Sequence, residues 1–210
     1  MTSQSSAPPG RKKRLRPWYL VAAMVVTWFI GVQGLTDGLR VAAFLHHGVV
    51  PTAEDEATED GAPPRPSAIP QLQAIADARD TTFPLAVAEA LLSGLLVVAS
   101  GFAMSGRKGA RSLAVQAIAV NALYLVAEYA LTPGIRAAWV ETFARTAEAL
   151  PKPNDYAIFA SREFLWGLDR ARLGIHLGAL GLGALALTRS RTKAFFDVVA
   201  RAAERAEDEP

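Results

Sequence analysis

The chain contains no cysteine. That excludes disulfides, thiol chemistry, iron–sulfur clusters, thiolate haem and Cys-ligated zinc. Histidine is scarce too: His46, His47 and His176 are the whole set. No HExxH motif occurs, which argues against a zinc-protease helix. A bis-histidine haem would need His46 or His47 to face His176, and both read as loop residues. The acidic run 54–60 lacks the glycine and closing glutamate of an EF-hand loop. Ser93 lies near Glu89, but no nucleophile elbow surrounds it. No internal repeat is visible, and four spans are few for a secondary transporter. The net charge of +2 is too small to imply a nucleic-acid partner.

What the chain does have is four apolar blocks with the charges set between them. The blocks cover about 18–35, 84–103, 113–131 and 173–188. At ~1.5 Å per helical residue each is long enough, or nearly so, for a hydrocarbon core of ~30 Å. The expected fold is therefore all-α: an integral membrane four-helix bundle. Short amphipathic helices are expected in the second outer loop and in the C-terminal tail. Residues 1–16 read as a disordered basic tail, 17–188 as the four-span domain and 189–210 as a second tail.

Positive charge falls on one side of such a bundle. Arg11, Lys12, Lys13, Arg14 and Arg16 precede the first span. Arg107, Lys108 and Arg111 join the second to the third, and Arg189, Arg191, Lys193, Arg201 and Arg205 follow the fourth. The opposite loops, 36–83 and 132–172, are acidic or mixed. The positive-inside rule then places both termini in the cytoplasm. The Ala-, Arg- and Gly-rich composition fits a bacterium with a GC-rich genome, which makes the expected membrane the bacterial inner membrane. The first apolar run is long for the core of a signal peptide, and no small-x-small site follows it, so an uncleaved anchor is expected. The partner these features name outright is the lipid bilayer.

Between the spans, 48–70 reads as a flexible acidic, proline-rich linker. A short helix is expected at 71–80. In the second outer loop, Ile135, Trp139, Phe143 and Leu150 recur at helical spacing, which predicts an amphipathic helix ended by Pro151 and Pro153. Asn154 or Asp155 is the expected cap of a helix running on into the fourth span. Phe195, Phe196, Val198 and Val199 mark a surface helix or docking segment in the C-terminal tail.

Small residues line several spans: Gly31, Gly34 and Gly38; Ala86, Ala90 and Gly94; Gly174, Gly178, Gly181 and Gly183. Lipid tails give no hydrophobic drive between helices, so such faces serve close packing, within the bundle or with a partner. Homo-oligomerisation or entry into a larger membrane complex is the expected use.

Polar stripes mark the one candidate site. Glu89 and Ser93 share a face of the second span, as do Asn121, Tyr124 and Glu128 of the third and Asp169, Arg172 and His176 of the fourth. Topology brings Glu89, Glu128 and His176 to similar depth in the outer half. Intramembrane ionisable groups face the interior or water. The candidate ligand-binding set is thus Glu89, Asn121, Glu128, Arg172 and His176, around an outward-opening cavity floored by Asn121, with Arg40 a further counter-charge. Two glutamates and a histidine could ligate zinc, iron or manganese, and they could also handle protons. No cofactor is identified by these residues. Two functions follow as expectations: a small non-catalytic subunit or scaffold, or a ligand-, metal- or proton-binding membrane protein.

Overall fold

The computed structural model describes residues 16–47, 69–149 and 161–208. Among them are seven helices and no strand. They are α1 (Trp18–His47), α2 (Ile69–Asp77), α3 (Arg79–Ser105), α4 (Ala110–Leu131), α5 (Pro133–Ala149), α6 (Arg162–Thr188) and α7 (Ser190–Asp208). Four of them, α1, α3, α4 and α6, are long and apolar enough to cross a membrane. The architecture is an all-α four-helix membrane bundle. The acidic linker, Arg11–Arg14 of the basic run, the expected stops Pro151 and Pro153 and the expected caps Asn154 and Asp155 lie outside the described residues.

Each long helix outruns its apolar block. α1 continues through Asp37 and Arg40 to His47, and α6 starts eleven residues before Leu173. The backbone needs no apolar side chain to stay helical; it stops only where a cap or breaker intervenes. α6 begins at Ser161, whose Oγ accepts from the Phe164 N–H at 3.2 Å, so a serine fills the capping role at this start. α3 ends at Gly106, held at φ 72°, with the Arg107 N–H donating to the Phe102 carbonyl at 3.2 Å. This six-to-one closure needs a residue without Cβ, and it makes α3 and α4 an antiparallel hairpin.

The four long helices form a square. α1 packs on α3 and α6, and α4 packs on the same two from the other side. The tightest edge is α1 against α3. A Cβ at Gly38 would lie 2.8 Å from both the Ala86 carbonyl oxygen and the Ala90 nitrogen, and one at Gly31 would lie 3.1 Å from the Ser93 carbonyl oxygen. Gly34 meets the Ser93 hydroxyl. Here backbone touches backbone, as small-residue membrane interfaces allow. On the next edge, Gly183 of α6 admits Thr27 of α1.

The apolar core gathers toward one end of the square. Leu20, Met24, Leu96, Ala103, Ala114, Leu180 and Leu187 are buried together, and Phe196 of α7 closes that end. The last carbonyls of α6 are satisfied there: Arg111 Nε donates to Leu187 O at 3.0 Å and Thr192 Oγ1 to Ala186 O at 2.8 Å. Outside, the bundle is apolar, with Phe29, Leu91, Leu123, Ile175 and Leu182 exposed. That is the surface hydrocarbon requires and water penalises.

At the opposite end α2 and α5 pack together as a cap. Val140 and Ala144 of α5 bury against Leu165 of α6, flanked by Trp139, Phe143 and Trp166. Glu141 pins this contact. Arg162 Nε donates to it at 2.7 Å and Arg145 Nε at 2.8 Å.

Gly38→Ala is expected to destabilise the protein by about 1–3 kcal/mol, because two helix backbones must separate. Gly101→Ala, with open space around it, should be neutral or stabilise by up to about 1 kcal/mol. Unfolding in detergent, followed by helix content, measures both. The hydrogen bonds from Arg162 and then Arg145 hold the Glu141 carboxyl down at about 2, from an ordinary 4.5. A depressed acid stabilises the fold above its unfolded value and loses that contribution as pH falls through the folded one. Trp139 and Trp166 fluorescence, read with Trp18 and Trp28 replaced by Phe, should be flat from pH 7 to 5. It should then change between about pH 4.5 and 2, and Glu141→Gln should abolish that change.

Candidate functional site

The antiparallel square brings the early part of α3 and α6 to the same end as the late part of α1 and α4. Asp37, Glu89, Glu128, Asp169, Arg172 and His176 converge there, whereas Arg40, the expected further counter-charge, is exposed and makes no ion pair among the described residues. The Arg172 Nη2 of α6 lies 3.9 Å from Asp37 Oδ2 of α1. Glu89 is within electrostatic reach of Glu128, Asp37 and Arg172. Glu128 feels Arg172, Arg136, Asp169 and His176. Four of the five candidate residues, Glu89, Glu128, Arg172 and His176, thus form one electrostatic cluster.

Asn121 is tied into the packing of the bundle. It is buried, and its Nδ2 donates to Leu92 O of α3 at 3.0 Å and to Ala117 O of its own helix at 2.9 Å. Both amide protons are committed, so Asn121 staples α3 to α4 through its donors. Tyr124, one turn further on, donates its hydroxyl to Leu85 O at 2.9 Å and repeats the staple. Polar side chains that bond a neighbouring helix in this way hold membrane bundles together.

His176 lies 2.7 Å through Nδ1 from the Arg172 carbonyl. A carbonyl only accepts, so Nδ1 carries a proton in this contact, and Nε2 makes no hydrogen bond among the described residues. That nitrogen is the part of the ring left for chemistry. Even so, among the described residues no three His, Asp or Glu side chains lie close enough together to hold a metal ion. Two clefts of about 350 and 380 Å³ are present, and neither is lined by Glu89, Glu128 or His176.

Beside the cluster is a pair that the stripes alone did not bring together. Arg136 opens α5, and its Nε lies 3.6 Å from Asp169 Oδ2 of α6, with side chains only 16% and 18% exposed. The guanidinium carbon sits 3.5 Å over the Tyr129 ring centre. Arg136 Nε and Nη1 and Asp169 Oδ2 are buried without a hydrogen bond among the described residues. A cation stacked on an aromatic face is stabilised by the ring quadrupole, and that stacking accounts for the separation. Asp169 is legible in the sequence as a stripe residue, whereas Arg136 is one charge on the amphipathic helix of the second outer loop. Only its position just after Pro133, close to the end of α4, hinted at depth.

Within the cluster, carboxyls outnumber guanidiniums. Asp37, Glu89, Glu128 and Asp169 meet Arg136 and Arg172, with His176 beside them. The two arginines sit against Asp37 and Asp169. Among the described residues, no hydrogen bond or ion pair is made by the Glu89 or Glu128 carboxyl. What the arrangement can do chemically is take up a positive charge, as a proton or as a small cation.

Comparison of the chain with protein-family models, with curated proteins and with solved structures finds no match. The functional reading rests on the residues alone.

Arg136→Met should cost about 3 kcal/mol, because it strands the Asp169 carboxylate in a largely buried place. Adding Asp169→Leu should recover most of that loss, since two well-packed apolar groups can replace a buried pair. Chemical unfolding of the single and double variants in detergent measures both terms.

Proposed function

We propose that this protein is a small non-catalytic subunit or scaffold of a membrane assembly, joined to its partner through the outer face of α6. The observation that carries this reading is what surrounds the α6 glycines. A Cβ placed at Gly174, Gly178 or Gly181 meets nothing within 4 Å. The glycines of α1, in contrast, are spent on α3. Ile175 and Leu182, together on the flank of the α6 series, are 69% and 63% exposed.

An interior glycine costs a helix about 1 kcal/mol relative to alanine. Three on one outward face give no return inside this chain. They do allow a second helix to approach closely enough for backbone contact. The partner is a transmembrane helix, of another protein or of a second copy.

In this proposal the protein lies in a bacterial inner membrane with both termini in the cytoplasm. The support is the clustering of lysine and arginine in the tails and the 106–112 turn, which a cytoplasmic position favours. The acid-rich end with α2 and α5 then faces outward.

A second reading has its own support. The unpartnered carboxyls of Glu89 and Glu128 suit a protein that binds a proton or a small cationic ligand in the outer half of the membrane. In that case Arg172 and His176 set the field around them.

Native mass spectrometry of the protein extracted from its own membrane in mild detergent tests both. The first reading expects a co-extracted protein or a second copy. Gly174→Ile and Gly178→Ile should release it and leave a folded monomer, since a Cβ at either position meets nothing within 4 Å. A bare monomer from the wild type would overturn that reading. A bound small molecule, lost in Glu89→Gln or His176→Ala, would favour the second.

A further inference from the structure

The cleft of about 380 Å³ lies between α1 and α6, at the end where the termini emerge. Its mouth is formed by Trp18, Tyr19 and Arg189, and its walls by Ala22, Val26, Ala179 and Leu182. Alanines make the furrow: they leave room that the leucines and valine beside them enclose. Its length follows from the helix rise. From Trp18 to Val26, and from Arg189 to Ala179, it runs for about 12–15 Å. That is the depth of one leaflet, half of a ~30 Å hydrocarbon core.

Its volume of about 380 Å³ along that length gives room for a slender occupant. A methylene chain, whose carbons keep about 4 Å from their neighbours, fits. The α6 glycine face adjoins this furrow, with Leu182 between the two.

The mouth has the matching polarity. The Arg189 guanidinium carbon lies 5.2 Å from the Tyr19 ring centre. Arg189 is exposed, and Tyr19 is fixed in turn by its hydroxyl contact with Thr192 Oγ1 at 3.2 Å. Trp18 packs edge-on against Tyr19, with ring centres 6.4 Å apart. Indole and phenol rings mark the level of lipid head groups. A cation is therefore held at head-group height, directly above an acyl-sized furrow one leaflet deep.

We propose that this furrow is a binding site for one anionic phospholipid, with an acyl chain between α1 and α6 and the phosphate on Arg189. The Trp18 indole N–H is a second donor to the head group. The furrow fits this lipid on two counts: apolar walls for the chain, and a positive mouth for the charge. Occupied, it would also cement the α1–α6 edge.

The test uses the full-length protein, stripped of lipid in detergent and titrated separately with phosphatidylglycerol and with phosphatidylcholine of identical chains. Native mass spectrometry reads the bound lipid. One phosphatidylglycerol should be retained per chain, with a preference of about five-fold over phosphatidylcholine, the gain expected from one cation at a membrane surface. Arg189→Gln should erase the preference and leave weaker retention of both lipids. Ala179→Phe should block the furrow from one wall and remove both lipids, and Ala22→Phe should do the same from the other. Circular dichroism of each variant checks that it is folded.

Equal retention of the two lipids by the wild type would overturn the proposal. So would retention unchanged in folded Ala179→Phe and Ala22→Phe, which would put the lipid elsewhere. Displacement of the lipid by inorganic phosphate alone would reduce the site to an ion site. A dimer whose formation expels the lipid would make a second copy the occupant.

Discussion

The rest of the structure depends on backbone contact between α1 and α3. Gly31, Gly34 and Gly38 bring the first helix onto Ala86, Ala90 and Ser93 of the second, at a separation that no side chain larger than hydrogen permits. In a bilayer no hydrophobic gain draws helices together, so dispersion over a close, flat contact must do so. Once this edge is set, the register of both helices is set with it. Asp37 then stands level with Glu89, and Leu20 and Met24 level with Leu96 and Ala103.

That register sorts the interior along its length. Toward the termini the bundle is filled by leucine, methionine and alanine and sealed by Phe196. Toward the other end it holds carboxyls, guanidiniums and a histidine. Between them, Asn121 and Tyr124 bond across to the α3 backbone. A purely apolar interior would leave helix rotation and sliding weakly specified, whereas these directional bonds admit one register. The charged end is covered by α2 and α5, whose own small apolar cluster and Glu141 bridges hold them in place. The cap and the charged cluster meet through Arg136, which belongs to both.

The two sides of α6 illustrate how one helix serves several neighbours. Gly183, Leu180 and Leu187 face the core. Gly174, Gly178 and Gly181 face away from it. Ala179, Leu182 and Ala186 line the furrow shared with α1. Small residues thus do three different things within one helix, and the motif alone does not tell them apart. Packing, protein assembly and lipid binding all begin from the same absence of side-chain bulk.

The sequence by itself determined the fold class, because uninterrupted apolar length and segregated charge follow from bilayer thickness and the cost of moving charge through it. It also determined the short helices at the charged end and in the tail, since these rest on local periodicity. The start of α6 was not legible as such: Ser161 is one of several residues able to cap, and only the observed hydrogen bond selects it. Glu89, Glu128, Arg172 and His176 could be placed together from topology and depth, which are one-dimensional quantities. The role of Asn121 could not, because its amide must reach a particular carbonyl on another helix. Nor could the pairing of Arg136 with Asp169, or the division between buried and open glycines. These depend on helix rotation and on which helices are neighbours, and only side-chain packing in three dimensions decides both.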